Sequence, residues 1–169
     1  NFEKITSLKP AFHREGTITA ANASNLSDGA AAVVMMREST ASDHGHTPLA
    51  YIRAITTQAQ APEQFTTAPI GAIQQLLEQL NWTVDSVDCF EINEAFAVVP
   101  LAAMQALNIP RDKVNVHGGA CVLGHPIGAS GTRIVTTLIH ALHSRKQRRG
   151  IATACIGGGE AIAIAIETH

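Results

Sequence analysis

The chain reads as an α/β protein built on a mixed sheet. Three observations predict this. Segments with helical spacing of apolar residues alternate with short apolar runs of strand length. The last two such runs, residues 151–156 and 161–166, are separated only by a short stretch centred on Gly157-Gly158-Gly159, so they return on each other as an antiparallel hairpin. Of 169 residues, 46% are hydrophobic and 15% charged, a composition that supports one packed core rather than a disordered chain.

The elements follow in order. Residues 1–29 are small and polar, lack a period, and end in Ser27-Asp28-Gly29; they read as irregular. Residues 30–36, Ala-Ala-Ala-Val-Val-Met-Met, have the composition of a strand buried on both faces. Nothing nearby in sequence flanks that strand, so it is expected to join a sheet supplied from elsewhere. A short helix is expected within 37–47 and a strand over 49–58. Ile70, Ile73, Leu76, Leu77 and Leu80 share one face of a helix over 69–80, with Pro69 in its first turn. A strand over 87–92 precedes a helix over about 94–107, which Pro110 ends. A short strand at 114–116 leads to a Gly-rich loop, 118–131. Ile134, Val135, Leu138, Ile139 and Leu142 define a helix over about 130–145.

Several function classes are disfavoured. The net charge of −2 gives no nucleic-acid footprint. The one basic run, Arg145-Lys146-Gln147-Arg148-Arg149, reads as a solvated helix end, with contact to an acidic ligand as the alternative. Cys89, Cys121 and Cys155 form no C-x-x-C pair, against a disulfide framework or zinc site. His140 and His143 lie one helical turn apart without a third ligand, so no metal is expected. No apolar run is long enough to span a bilayer, so no membrane role is expected. The chain begins with Asn1 rather than Met, and its natural N-terminus is expected to lie upstream. A cytoplasmic location is expected, with a mitochondrial one left open.

Three loops at strand ends carry groups suited to chemistry, where α/β proteins gather ligands. In Asn93-Glu94-Ala95-Phe96, Asn93 reads either as a helix N-cap or as an amide aimed at a ligand. In the run from Gly118 to Gly131, His125 stands between Gly124 and Pro126 ahead of a helix N-terminus. A lone loop histidine is structural as readily as catalytic. No Gly-Lys-Ser/Thr follows, which excludes a phosphate loop of the ATPase type. In Cys155-Ile156-Gly157-Gly158-Gly159, a thiol at a strand end adjoins backbone N–H groups freed by glycine. These are ingredients of an acid–base thiol beside an oxyanion site, or of a buried Cys before a turn.

Taken in order, N-E-A-F, G-H-P-I-G-A-S-G and C-I-G-G-G resemble the three C-terminal signatures of the thiolases. The stretch from Gly16 to Ala32 resembles the segment that leads into the C-terminal half of that family. The resemblance covers essentially the whole chain and is nearest to the short-chain acetyl-CoA acetyltransferases. It implies a five-layered α/β/α/β/α fold made of two similar halves. Residues 1–26 would end the loop domain that covers coenzyme A, 27–47 would be the last piece of the N-terminal half, and 48–169 the C-terminal half.

The resemblance also implies roles. His125 matches the histidine that activates the nucleophilic cysteine. Cys155 matches the cysteine that moves the α-carbon proton. Asn93 matches the asparagine that positions a water in one oxyanion hole, and Gly157 the glycine whose N–H serves the other. Ala20 and Ser24 match positions beside the pantetheine arm. The nucleophile lies in the N-terminal half of the family and is not in this chain. Asn25, His117 and Ala161 depart from residues common in the family.

The implied reaction is Claisen condensation or thiolytic cleavage of short 3-ketoacyl-CoA through an acyl-cysteine. Acetyl-CoA, acetoacetyl-CoA and CoA would be substrates and products, with no resident cofactor. The implied partners are the N-terminal half and further copies in a homodimer or homotetramer. A thioester α-proton is weakly acidic, so its removal near neutral pH needs a placed base and a stabilised enolate oxygen. Cys155 suits the first task if its surroundings favour the thiolate. Two alternatives stand beside this reading: a degradative thiolase of broad chain length, and a non-catalytic truncated domain.

Overall fold

The computed structural model describes residues 2–169; residue 1, the first of the expected 1–26 segment, lies outside them. Its centre is a four-stranded sheet in the order β1-β4-β3-β2, where β1 is Tyr51–Ala59, β2 Cys89–Ile92, β3 Arg149–Ile156 and β4 Glu160–Glu167. The hairpin β3–β4 and the pair β1–β4 are antiparallel, whereas β2 and β3 run parallel. The mixed sheet and closing hairpin are therefore as expected.

Alternation along β2 assigns its two faces. Phe90 and Ile92 enter one core with Ile73 and Leu76 of α2 (Ala68–Leu80) and Val99 of α3 (Val98–Leu107). Cys89 enters a second core with Ile134, Leu138 and Leu142 of α5 (Ile127–Arg145). The sheet thus lies between α2 and α3 on one face and α5 on the other. Complete burial of Phe90 alone contributes roughly 1.5–3 kcal/mol.

Two expected elements do not form as such within this chain. Residues 30–36 form no strand, and Val34 and Met35 are 88% and 72% exposed. A strand needs a hydrogen-bonding neighbour, and among the described residues none is offered there. The helix expected from residue 94 begins only at Val98, with Ala97 at its N-cap position, because residues 95–97 are drawn into pairing with 22–24. Elsewhere boundaries shift slightly. The expected helix in 37–47 is α1 (Glu38–Asp43), and α5 starts at Ile127, a turn earlier than its apolar spacing indicates. The expected strand at 114–116 is a single bridge between Phe90 and Val114. A short α4 (Ala120–Leu123) interrupts the Gly-rich loop.

Helices α2, α3 and α5 end on left-handed residues, Asn81 at φ 52°, Asn108 at φ 54° and Lys146 at φ 55°. Asparagine tolerates that conformation; lysine has no compensating side-chain bond to its own backbone. Lys146→Gly is accordingly expected to stabilise the protein by about 1 kcal/mol. A thermal melt checks this: Tm should rise by roughly 2–4 °C, and an unchanged or lower Tm would refute the strain argument.

Candidate active site

The parallel pair β2–β3 builds the site at its C-terminal edge. Asn93 follows the last residue of β2, and its N–H donates to Thr153 O of β3 at 2.9 Å. Two residues beyond Thr153, Cys155 stands opposite Ala161 in the hairpin, and Gly157 opens the turn. Sheet register therefore brings Asn93 and Cys155 to one edge, although 61 residues of chain lie between them.

His125 joins Asn93 directly: Asn93 Nδ2 lies 3.3 Å from His125 Nε2. On its other side, His125 Nδ1 lies 2.6 Å from Ser130 Oγ. Ser130 Oγ has one proton, which it donates to Pro126 O at 3.1 Å. That direction makes Nδ1–H the donor to Ser130 and leaves Nε2 with a lone pair that accepts from the Asn93 amide. Burial, with Arg133 second, depresses the His125 pKa below its ordinary value. The imidazole is thus neutral near pH 7, with its basic nitrogen facing Asn93. The N-cap reading of Asn93 does not hold, since α3 begins five residues later.

A strap of chain, residues 22–26, holds both loops. Ala97 N–H donates to Asn22 O at 2.9 Å, and both Ser24 N–H and Ser24 Oγ–H donate to Ala95 O, at 3.1 and 3.0 Å. His125 N–H then donates to Asn25 O at 3.0 Å. Ser24 therefore fastens the strap with its hydroxyl proton, while Ala20 lies exposed in the turn before it. Gly124 is required where the strap passes: its φ is 92°, and a Cβ would stand 2.2 Å from Ser27 Oγ. An open cleft of about 380 Å³ lies beside His125, lined by Leu26, Ser27, Asp28, His125 and Ile127.

Sequence reasoning missed the role of Glu94, which lies outside α3 and reaches the first turn of α4 instead. Its carboxylate accepts from Asn115 Nδ2 at 2.9 Å and from Cys121 N–H at 3.1 Å. Asn115 in turn accepts from Ile92 N–H and donates to Ile92 O, at 2.8 and 2.9 Å. The Gly-rich loop is thereby pinned to the end of β2. Gly119 makes the approach possible, because a Cβ there would meet the Glu94 carboxylate at 2.3–2.5 Å. It also missed Ser130, Glu91 and Arg133. For Glu91 a signal existed: a carboxylate inside the apolar strand Cys-Phe-Glu-Ile.

All three thiols are free and all are shifted upward. Burial, then Glu91, pushes Cys89 up to about 11; burial, then Glu94, does the same for Cys121. Burial also raises Cys155, partly offset by a backbone hydrogen bond. In this chain, then, the surroundings of Cys155 favour the thiol and not the thiolate. Because the shifts share a direction, position separates the three. Cys89 is fully buried in the core against α5, Cys121 donates weakly to Glu94 O at 3.9 Å, and only Cys155 lies next to the end of a strand that runs into a Gly turn. At Gly157 a Cβ would meet nothing within 4 Å, so packing within this chain does not demand glycine there. Among the described residues no group of three or more His, Cys, Asp or Glu is arranged to hold a metal, and no helix is long and apolar enough to cross a membrane.

Comparison with known proteins agrees with the fold and with the family that the motifs resemble. Residues 46–168 match the family described as Thiolase, C-terminal domain, and residues 1–39 match Thiolase, N-terminal domain. The chain is 51% identical to a Dictyostelium discoideum protein named "Probable acetyl-CoA acetyltransferase", over 98% of this chain and 40% of that protein. It superposes on the Bacillus anthracis acetyl-CoA acetyltransferase with a TM-score of 0.97 and 44% identity, covering 100% of this chain and 43% of that one. With human mitochondrial 3-ketoacyl-CoA thiolase in complex with CoA the TM-score is 0.92 at 36% identity, covering 100% of this chain and 43% of that one. The chain spans about two fifths of the length of the curated relatives it matches. On its matched domains and its superposition, the chain belongs to the thiolase family.

Proposed function

We propose that this chain is the C-terminal part of an acetyl-CoA C-acetyltransferase. It would supply the acid–base groups, while a cysteine outside it carries the acyl group. One observation carries the reading: the Asn93–His125–Ser130 relay presents a neutral imidazole whose Nε2 lone pair is engaged by the Asn93 amide alone, near the strand end where Cys155 also lies. The 3.3 Å bond from Asn93 is long, so Nε2 exchanges it readily for a shorter bond to an incoming thiol. The higher identity to proteins named acetyl-CoA acetyltransferase than to human mitochondrial 3-ketoacyl-CoA thiolase favours the acetyl-transferring reading.

In the cleavage direction, His125 Nε2 takes the proton of the nucleophilic cysteine. The resulting thiolate forms a bond to the 3-keto carbon, and the bond between C2 and C3 breaks. Protonated His125 then presents Nε2–H, which with Asn93 and a water stabilises the enolate oxygen of departing acetyl-CoA. The Cys155 thiol gives its proton to the enolate carbon. Its raised pKa suits a donor that starts protonated. Coenzyme A next attacks the acyl-cysteine carbonyl, whose oxygen accepts a hydrogen bond from the Gly157 N–H. The CoA proton restores Cys155, and His125 returns its proton to the nucleophile. No cofactor is needed, and CoA thioesters are the substrates. Ala20 and Ser24 would flank the pantetheine arm. An N-terminal half and further copies of the protein would complete the assembly, with residues 30–36 as a strand for that half.

Asn93→Asp in the intact protein tests this reading. The substitution replaces an amide donor with a carboxylate beside the imidazole lone pair and near the developing enolate. Acetoacetyl-CoA cleavage should fall roughly 10²–10³-fold, with Tm close to wild type. Undiminished turnover would overturn the assignment.

A further inference from the structure

Glu91 and Arg133 have no part in the reaction as derived, yet both sit under it. Glu91 is 1% exposed in the middle of β2, and Arg133 lies on α5. Their nearest charged atoms, Glu91 Oε2 and Arg133 Nη1, are 3.7 Å apart, inside ion-pair range but too long for a hydrogen bond. Glu91 Oε1 and Arg133 Nη1 are both buried without a hydrogen-bond partner. Buried charge held so loosely stabilises a fold poorly, so its placement calls for another reason.

The placement is regular. Glu91 and Asn93 are two residues apart, and so share the α5 side of β2. Ser130 and Arg133 are three residues apart, and so share one face of α5. Asn93 and Ser130 grip the two nitrogens of His125. Glu91 and Arg133 join the same strand to the same helix face one turn further along. We propose that Glu91 and Arg133 are positioning residues for His125, tying β2 to α5 below the imidazole and setting the net charge that faces it.

Electrostatics agree with that geometry. Arg133 is the charged group that acts on His125, against protonation. The groups acting on Glu91 are Arg133 from α5 and Glu94 from the loop after β2; Cys89, its neighbour on β2, is pushed up by it. Burial foremost lifts Glu91 to about 7, Arg133 pulls it back and Glu94 raises it further. Glu91 therefore exchanges its proton near neutral pH, where ionising it offsets Arg133. Removing Arg133 should favour protonated His125. Removing the Glu91 charge should disfavour it.

The proposal rests on His125 as the acid–base group, but its test needs no thioester, so its failure leaves the acyl-transfer reading standing. The intact protein carrying this chain would be labelled with ¹⁵N-histidine and titrated by NMR, with His125→Ala identifying the resonances. Wild type should show His125 protonated on Nδ1. At a fixed pH near 7, the upper end of the titration, where Glu91 is only partly ionised, Arg133→Gln should raise the ratio of protonated to neutral His125 at least about threefold, and Glu91→Gln should lower it by a smaller factor. Folded single variants with an unchanged ratio and tautomer, or with changes in the same direction, would overturn the proposal. If neither single variant folds, the doubly neutral E91Q/R133Q protein decides. A ratio above wild type supports the pairing, and a ratio and tautomer equal to wild type overturn it.

Discussion

His125→Ala in the intact protein is expected to lower acyl-enzyme formation by roughly 10³–10⁴-fold. The substitution removes the lone pair at Nε2, and no other described group is bonded to Asn93 Nδ2 at that point to replace it. Trapping of labelled acetyl on protein reads this step before any carbon–carbon chemistry. The fold should survive, because the loop is held through the His125 backbone, by its N–H to Asn25 O, and through Glu94 to Cys121 N–H. Undiminished trapping in a folded variant would remove His125 from the mechanism. A pH dependence accompanies this. The folded pKa of His125 lies below its ordinary 6.5, so the neutral base persists at lower pH than a free histidine allows. The acid limb of acyl transfer should therefore fall below 6.5. The linked stability has the matching sign: it is fully present above the unfolded pKa and is lost as pH falls through the folded one.

Cys155→Ser should lower turnover by roughly 10²–10⁴-fold and reduce acetyl trapping much less, because a CoA thiolate can leave unprotonated whereas the enolate carbon must gain a proton. Serine keeps the size of the side chain but is a far weaker acid. If Cys155 moves the α-proton, exchange of the acetyl-CoA methyl protons with solvent deuterium should stop. Exchange is the decisive measurement because it isolates this step from acyl transfer. Cys89→Ser is the contrasting case. It puts a hydroxyl into the fully buried core against α5 and should cost about 1–3 kcal/mol of stability without touching exchange. Cys121→Ser should have a mild effect, since its thiol contact to Glu94 O is a weak one at 3.9 Å. Normal exchange in folded Cys155→Ser would show that another group moves the proton.

What the sequence determined by itself was the set of elements and the order of the loops. Apolar period marks α2 and α5, strand-length apolar runs mark β2, β3 and β4, and the glycine triplet marks the hairpin, because these signals act over a few neighbouring residues. The motifs also named His125, Asn93 and Cys155 as one group through their likeness to a family. Proximity was another matter. Asn93 meets His125 only because β2 and β3 pair in parallel, and because Asn115, Glu94 and the strap at 22–26 pin the Gly-rich loop over the strand end. Each of those bonds spans distant positions, which no local period reports. Tertiary context also reversed two local readings. Residues 30–36 have strand composition but no neighbour to pair with here, and residues 94–97 have helix-forming sequence but are diverted by Asn22 and Ser24. The state of the reacting groups belonged wholly to the tertiary structure. Burial makes His125 a neutral base and keeps Cys155 a thiol, and burial is set by what the rest of the chain packs against each side chain.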